Sequence, residues 1–166
     1  IELKFDSQGN DTTAHADLLV GADGIRSSVR ELLFEQEPYP LRYLDCIVIL
    51  GICALSHLQN ATHELLDQKT VFQTANGNER MYMMPYDHEH IMWQFSYPLA
   101  EAEAKNLSAQ GAEALKKEVL KRTNWHDPIP QIIEATPAAF ISGYPVYDRE
   151  LLRPLDFASC GPITLL

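Results

Sequence analysis

Residues 70–98, TVFQTANGNERMYMMPYDHEHIMWQFSYP, constrain the fold more than any other part of the chain. Successive side chains of a β-strand point to opposite faces of a sheet, and large apolar residues stand at every second position of 91–97. Asn76-Gly77 is a strong signal for a two-residue type I′ hairpin turn, and a second turn is expected at Asp87 to Glu89. The segment therefore predicts an antiparallel meander with one apolar, aromatic face.

Helices are expected after this meander. Ser108 is predicted to cap a helix that reaches Arg122, and Asp127-Pro128 to open a shorter helix through Glu134. The inner stripe of the first helix is predicted at Ala112, Leu115 and Val119. Two helices are therefore expected behind the sheet.

The two ends of the chain follow a different pattern. Residues 1–20 read as a hairpin that leads into a buried strand, and residues 160–166 as a final buried strand. Between them, Pro38 and Pro40 are expected to end a helix. Its apolar face is predicted at Ile25, Val29, Leu32 and Leu33. These segments predict a strand–turn–helix unit.

Composition excludes several classes of partner. The net charge of -10 argues against binding to nucleic acid or to an anionic membrane, and the apolar run 46–55 is far shorter than the roughly 20 residues of a membrane span. That run predicts a buried strand. Cysteines 46, 53 and 160 have no metal-binding spacing, so we expect buried, reduced thiols and a reducing compartment such as the cytoplasm.

The turn at residues 21–24, GADG, departs from helix rules. It is followed by Arg26 and Arg30, although cations are disfavoured where a helix begins. Asp23 and Gly24 can serve only as a cap and a turn residue. Together with Ser27, Ser28 and the two arginines they also suit a phosphate or diphosphate ligand, since hydroxyl and guanidinium groups bind anionic oxygens.

The stretch ADLLVGADGIRSSVR, residues 16–30, resembles the Asp-Gly motif of the single-component FAD-dependent aromatic hydroxylases, the group that includes p-hydroxybenzoate hydroxylase. This resemblance implies that Asp23 and Gly24 lie near the FAD diphosphate and that Arg30 helps to bind NADPH or NADH. Arg26 and Ser28 complete the set of residues expected to bind cofactor.

The resemblance also implies an architecture. We expect an internal fragment of an α+β flavoprotein, in which residues 1–38 and 141–166 belong to the FAD-binding domain and residues 39–140 form the substrate domain. The family's next motif, Gly-Asp, would begin just after Leu166, and its N-terminal fingerprint would precede Ile1.

The function implied for the parent protein is NAD(P)H-dependent hydroxylation or epoxidation of an apolar or aromatic small molecule with O2. No catalytic side chain is expected, because the cofactor supplies the chemistry. The sheet residues expected to line the substrate pocket are Tyr82, Met84, Trp93 and Gln94. Each of these can equally be a core residue that packs on the helix at 108–122.

Two other functions stay open at this stage: an FAD-dependent reductase or dehydrogenase on the same scaffold, and a noncatalytic binding domain. A metal site is not expected. The sequence DHEH at residues 87–90 contains metal-ligand types, but it falls at a hairpin tip where neighbouring side chains point apart.

Overall fold

The computed structural model describes residues 1–7, 10–34, 39–58, 63–152 and 160–166. Its strands are β1 (Glu2–Ser7), β2 (Asn10–His15), β3 (Leu19–Gly21), β4 (Arg42–Ala54), β5 (Phe72–Asn76), β6 (Glu79–Pro85), β7 (His90–Pro98), β8 (Ile141–Asp148) and β9 (Ile163–Leu165). Its α-helices are α1 (Ser28–Leu33), α2 (Glu101–Ala109), α3 (Ala112–Arg122) and α4 (Ile129–Ala135). The expected α+β class is confirmed.

The chain divides into two compact units. One comprises Ile1–Arg42 with Asp148–Leu166, and the other comprises Tyr43–Tyr147. The divisions drawn from the sequence, after residues 38 and 140, fall a few residues before these boundaries. Within the described ranges, no helix has both the length and the apolar character needed to cross a membrane.

The larger unit contains a five-stranded sheet in the order β5-β6-β7-β4-β8. The pairs β5–β6, β6–β7 and β7–β4 are all antiparallel, which confirms the predicted meander. β4 alternates between buried and half-buried residues from Cys46 to Ala54, so the predicted buried strand is fully covered on one face only.

The first hairpin turn lies one residue later than predicted. Asn76 pairs with Glu79, so the two turn residues are Gly77 and Asn78 rather than Asn76 and Gly77. Gly77 has a φ of 59°, as the first central residue of a type II′ turn requires. The second hairpin is confirmed, because Pro85 pairs with Ile91 around the turn at residues 86–90.

The helical region differs from the prediction at its start. Ser108 does not cap α3; it lies inside α2, where its hydroxyl donates a hydrogen bond to the Gly143 carbonyl at 2.6 Å. Gly111 precedes α3 instead. α2 escaped prediction because it has no apolar stripe, and Ala104 is its one buried residue. Leu115 and Val119 are buried as expected, and α4 begins directly after Pro128.

The smaller unit contains two pairs of strands. β1 and β2 form the predicted antiparallel hairpin, and β3 pairs with β9 in parallel. β3 is only three residues long and Val20 is 42% exposed, so the predicted buried strand is wrong in extent and in burial. The predicted apolar face of α1 is also wrong, because Ile25 precedes the helix and Leu32 is 88% exposed. Pro38 lies outside the described residues.

Candidate functional site

The Asp-Gly turn links β3 to α1. Gly24 has a φ of 79°, a conformation that favours glycine, and a Cβ built there would meet no atom within 4 Å. The Asp23 carboxylate folds back over the start of α1. Its Oδ2 accepts hydrogen bonds from the backbone N–H groups of Ser28 at 2.7 Å and Val29 at 3.2 Å.

Ser27 completes this cap. Its hydroxyl donates to Asp23 Oδ1 and accepts a hydrogen bond from the backbone N–H of Arg30 at 3.0 Å. The hydrogen bond from Ser27 lowers the pKa of Asp23 most, and those from the backbone add to it, so the carboxylate is ionised at neutral pH. The backbone N–H groups of Ser28, Val29 and Arg30 at the start of α1 thus have hydrogen-bond acceptors within the chain.

The two arginines do not share a helical face. α1 begins at Ser28, so Arg26 lies in the preceding turn, where it is exposed. Arg30 lies within the helix and is only 9% exposed. The two arginines therefore do not break the rule that disfavours cations at the start of a helix. Arg26 lies outside the helix, and α1 is so short that Arg30 also belongs to its last turn, where a cation is favoured.

Close packing fixes α1 against the strands of the smaller unit. A Cβ built on Gly21 would lie 2.7 Å from Leu165 Cδ2 and 2.9 Å from Val29 Cβ. Any larger residue would push the helix away from β3 and β9. The two glycines therefore have different roles. Gly21 allows α1 to pack closely on β3 and β9, and Gly24 allows the turn to adopt its positive φ.

Sequence reasoning missed a cluster of charged residues at the end of β8. Arg149 Nε donates to the Ile25 carbonyl at 2.9 Å and Nη1 donates to the Tyr39 carbonyl at 2.8 Å. Asp148 binds the Arg42 guanidinium through both carboxylate oxygens. Arg149 thereby links the residue that follows the Asp-Gly turn to Tyr39, and the charged triplet at 148–150, which begins at the last residue of β8, was the available signal.

The second candidate region is the outer face of the five-stranded sheet, which we define by Val48, Leu50, Ile52, Tyr82, Met84, Met92 and Gln94. These side chains are half-buried, whereas their neighbours along each strand are buried, except for the half-buried Pro85 at the end of β6. The pairing places Tyr82 and Leu50 on either side of Gln94, and Met84 and Ile52 on either side of Met92. Three of the four predicted pocket residues, Tyr82, Met84 and Gln94, thus lie together on this face.

Trp93 is the exception, and its assignment to the same face is wrong. It lies on the inner face, is 0% exposed, and its Nε1 donates to Thr136 Oγ1 at 2.9 Å. A Cβ on Gly51 would lie 2.4 Å from the indole ring, so the ring fills the space above that glycine. The reason is the period of a strand, because adjacent residues such as Trp93 and Gln94 cannot share a face.

The remaining candidates for a metal or thiol site are the histidines of residues 87–90 and the three cysteines. His90 contacts Asp87 at the hairpin tip, and within the described ranges no group of three or more metal-ligating residues could hold an ion. Cys53 is buried, Cys46 and Cys160 are half-buried, and none of the three is in a disulfide bond. Burial raises the pKa of the Cys46 and Cys53 thiols, which keeps them protonated at neutral pH.

Residues 2–142 match a family described as FAD binding domain. The chain belongs to this family. The match includes both the Asp-Gly turn and most of the five-stranded sheet. It confirms the resemblance to FAD-dependent aromatic hydroxylases that the Asp-Gly motif predicted.

Individual relatives of this FAD binding domain agree with the family match. The aurachin C monooxygenase/isomerase of Stigmatella aurantiaca is 33% identical over 138 residues, which cover 82% of this chain and 32% of the relative. HpxO of Klebsiella pneumoniae, crystallised with FAD and uric acid, has a TM-score of 0.71 at 20% identity, over 94% of this chain and 36% of its own. PqsL of Pseudomonas aeruginosa has a TM-score of 0.59 at 22% identity, over 90% and 37%. The chain spans about a third of the length of each relative.

Proposed function

We propose that the chain is part of an FAD-dependent monooxygenase that uses NADPH or NADH and O2 to hydroxylate or epoxidise an apolar or aromatic small molecule. The observation that carries this proposal is that one FAD binding domain match includes both the Asp-Gly turn and the apolar outer face of the sheet. The monooxygenase named among the relatives supports it. Three cysteines without a disulfide bond are consistent with a cytoplasmic protein.

The smaller unit is proposed to contribute to the FAD site. Gly24 fits this role, because the open space beside its backbone allows a ligand to approach closely. Asp23 and Ser28 would shape the turn at the diphosphate, while Arg26 and Arg30 would supply positive charge to the phosphates of FAD or the nicotinamide nucleotide. FAD, when bound, supplies the redox chemistry with NAD(P)H and O2. No side chain of this chain is assigned a proton-transfer or nucleophilic role.

The larger unit is proposed to hold the substrate. The outer face offers apolar contact through Met84 and Leu50, an aromatic ring through Tyr82, and a hydrogen-bonding amide through Gln94. Such a surface, mostly apolar with a few polar groups, is typical of a small-molecule site. Under this proposal residues 1–38 and 141–166 serve FAD and residues 39–140 serve the substrate.

The test uses the full-length parent protein. Arg30→Ala should weaken nicotinamide-nucleotide binding by roughly 10- to 150-fold, the equivalent of a lost charge-assisted hydrogen bond, with FAD retained. Asp23→Ala removes the cap of α1, so flavin retention and stability should fall together. The exposed Lys117→Ala serves as the control for loss of one positive charge.

The readouts are flavin occupancy, the rate of anaerobic flavin reduction against NAD(P)H concentration, and O2-dependent product formation. An unchanged concentration dependence in Arg30→Ala would remove Arg30 from the nucleotide site. Flavin reduction without any oxygenated product would point to a reductase or dehydrogenase. A full-length protein that takes up no FAD would contradict the whole proposal.

A further inference from the structure

The register of β4, β7 and β6 arranges the outer face and its border in three rows of side chains. Each strand contributes every second residue, so neighbouring rows lie about 7 Å apart and the two outermost rows about 13 Å apart. The first row is apolar, the second adds an amide and a phenol, and the third adds a hydroxyl and a guanidinium. This side of the sheet therefore has an apolar end and a cationic end. In order, the rows are Ile52, Met92 and Met84; Leu50, Gln94 and Tyr82; and Val48, Ser96 and Arg80.

Arg80 supplies the charge at the cationic end. The alternation of β6 sends its neighbour Glu79 to the opposite side of the sheet, where Arg122 Nη1 donates to it at 2.7 Å. Arg80 itself is exposed and makes no hydrogen bond or ion pair with any residue in the described ranges. Arg42 and Arg122, by contrast, each bind two carboxylates. The chain has 23 acidic and 13 basic residues, so carboxylates are not scarce, and the Arg80 guanidinium is left for an anion from elsewhere.

The surroundings of the guanidinium leave space and a hydroxyl for such an anion. Ser96 is its half-buried partner on β7, and Ala75, its partner on β5, has only a methyl side chain. Burial raises the pKa of the Cys46 thiol, and the positive charge of Arg80 opposes this rise from the other side of β7. Asp45, beside Cys46, is exposed and forms no ion pair with Arg80. The field of Arg80 therefore extends across the third row.

We propose that this side of the sheet binds an elongated amphipathic carboxylate, with the carboxylate on Arg80 and Ser96 and the apolar end on Met84. A guanidinium binds a carboxylate through two parallel hydrogen bonds, and a hydroxyl can donate a third. The inference rests on the proposed function and narrows its substrate class. The apolar body must be about 10 Å long, because a single ring held at the third row reaches only the second. Arg80 is thus a specificity-determining residue with no part in the chemistry.

The test of charge compares biphenyl-4-carboxylate with its neutral amide, biphenyl-4-carboxamide, in binding to the full-length protein by calorimetry. The two probes have the same length and differ in charge. We expect the wild type to bind the carboxylate roughly fivefold more tightly, as for an ion pair in contact with solvent, and this ratio to fall as the salt concentration rises. Arg80→Gln should bring the ratio to one. Arg80→Lys keeps the charge and should retain most of the ratio.

The test of length uses benzoate, which has the same charged group on one ring. The wild type should bind benzoate roughly tenfold more weakly than biphenyl-4-carboxylate, because the second ring is missing from the first row. Met84→Ala should weaken the binding of both biphenyl probes by the same factor and leave benzoate unchanged. Benzoate that binds as tightly as the longer acid would overturn the proposed span.

Lys117→Gln is the matched control, because it removes one positive charge from an exposed position on α3, and it should keep the ratio of carboxylate to amide affinity. A ratio that persists in Arg80→Gln would overturn the inference, and so would a wild type that binds the two biphenyl probes equally or not at all. Flavin content is measured on the same samples. Absence of FAD from the wild type would contradict the proposed function, whereas the ratio of probe affinities decides the role of Arg80 separately.

Discussion

The inner and outer faces of the five-stranded sheet come from the same alternating strands but differ in burial. The inner face carries Ile47, Ile49, Met81, Met83, Trp93, Phe95 and Tyr97, each at most 2% exposed. The outer face is also rich in apolar side chains, yet its central residues remain half-buried. Apolar character alone therefore does not distinguish the buried face from the half-buried face of this sheet. The difference lies in whether other parts of the unit contact a face.

The inner face forms the buried core of the larger unit, and we propose that the outer face contributes to ligand binding. α3 and α4 contribute Leu115, Val119, Ile129, Ile132 and Ile133 to the buried core, along with the inner-face residues. A mutation on the inner face should therefore lower the free energy of unfolding, whereas one on the outer face should change ligand binding with little loss of stability.

The largest effect is expected at Trp93. Trp93→Ala removes a completely buried ring and the partner of Thr136 Oγ1, and should cost about 3 to 5 kcal/mol of unfolding free energy. Urea titration monitored by circular dichroism measures it. Tyr82→Ala, a matched aromatic truncation on the outer face, should cost far less; equal losses would abolish the distinction between the two faces.

Tyr97 gives the inner face a dependence on alkaline pH. Burial raises the pKa of this phenol from 10.0 to about 12, and the charge of Glu118 adds to the rise. The folded state thus holds the proton more tightly than the unfolded state. The stabilisation that the protonated Tyr97 phenol provides is complete below pH 10. It falls by roughly 2 kcal/mol of unfolding free energy as the pH rises toward 12. The urea concentration at the unfolding midpoint, measured from pH 9 to pH 12, should decline less for Tyr97→Phe than for the wild type.

The hairpin turn tests the register that assigns residues to each face. Gly77→Val should cost about 1 kcal/mol or more through its positive φ alone, because a Cβ there has open space. Asn78→Val should be nearly neutral, since Gly77 supplies the positive φ of this turn. Chemical-denaturation midpoints of the two variants give the comparison. If Asn78→Val lowers the midpoint more than Gly77→Val does, the two turn residues are misassigned, and so are the faces of the sheet to which the β5 residues belong.

The smallest effect is expected at the Tyr82 hydroxyl, which lies 3.7 Å from Met84 Sδ on the outer face. Tyr82→Phe should change the unfolding free energy by less than about 0.5 kcal/mol, because this contact is weak and partly open to solvent. Thermal unfolding measures it, with Trp93→Phe on the inner face as the comparison. A clear loss in Tyr82→Phe would show that the outer face also carries stability.

The sequence predicted those features that depend on local patterns. The meander followed from alternation, the hairpins from their turn residues, and the family from the Asp-Gly motif. The errors have physical causes as well. Asn76-Gly77 and Gly77-Asn78 both provide a glycine for a tight turn, so composition could not set the register. α2 has no apolar stripe because it buries little, and helix periodicity detects only helices that do.

The candidate site was harder to predict, because its residues meet through tertiary contacts. The sequence allows Asp23 to be either a cap or a ligand residue, and only the hydrogen bonds that it accepts from Ser28 and Val29 establish the cap. Arg149 lies 124 residues from the Ile25 carbonyl that it binds, a separation that no local pattern can bridge. Trp93 is a different case, because its aromatic character favours a ligand pocket whereas the alternation of β7 places it on the inner face with Ile91 and Phe95.

The central proposal is that the outer face of the sheet forms one wall of the ligand site. Its most direct test is the dissociation constant of 2-naphthol, a neutral aromatic probe, for the full-length protein carrying Met84→Trp, which enlarges a half-buried side chain beside Met92 on the outer face. The predicted result is a loss of affinity of about tenfold or more, with the unfolding midpoint and the flavin content unchanged. An unchanged dissociation constant would contradict the claim and return the outer face to the role of an ordinary protein surface.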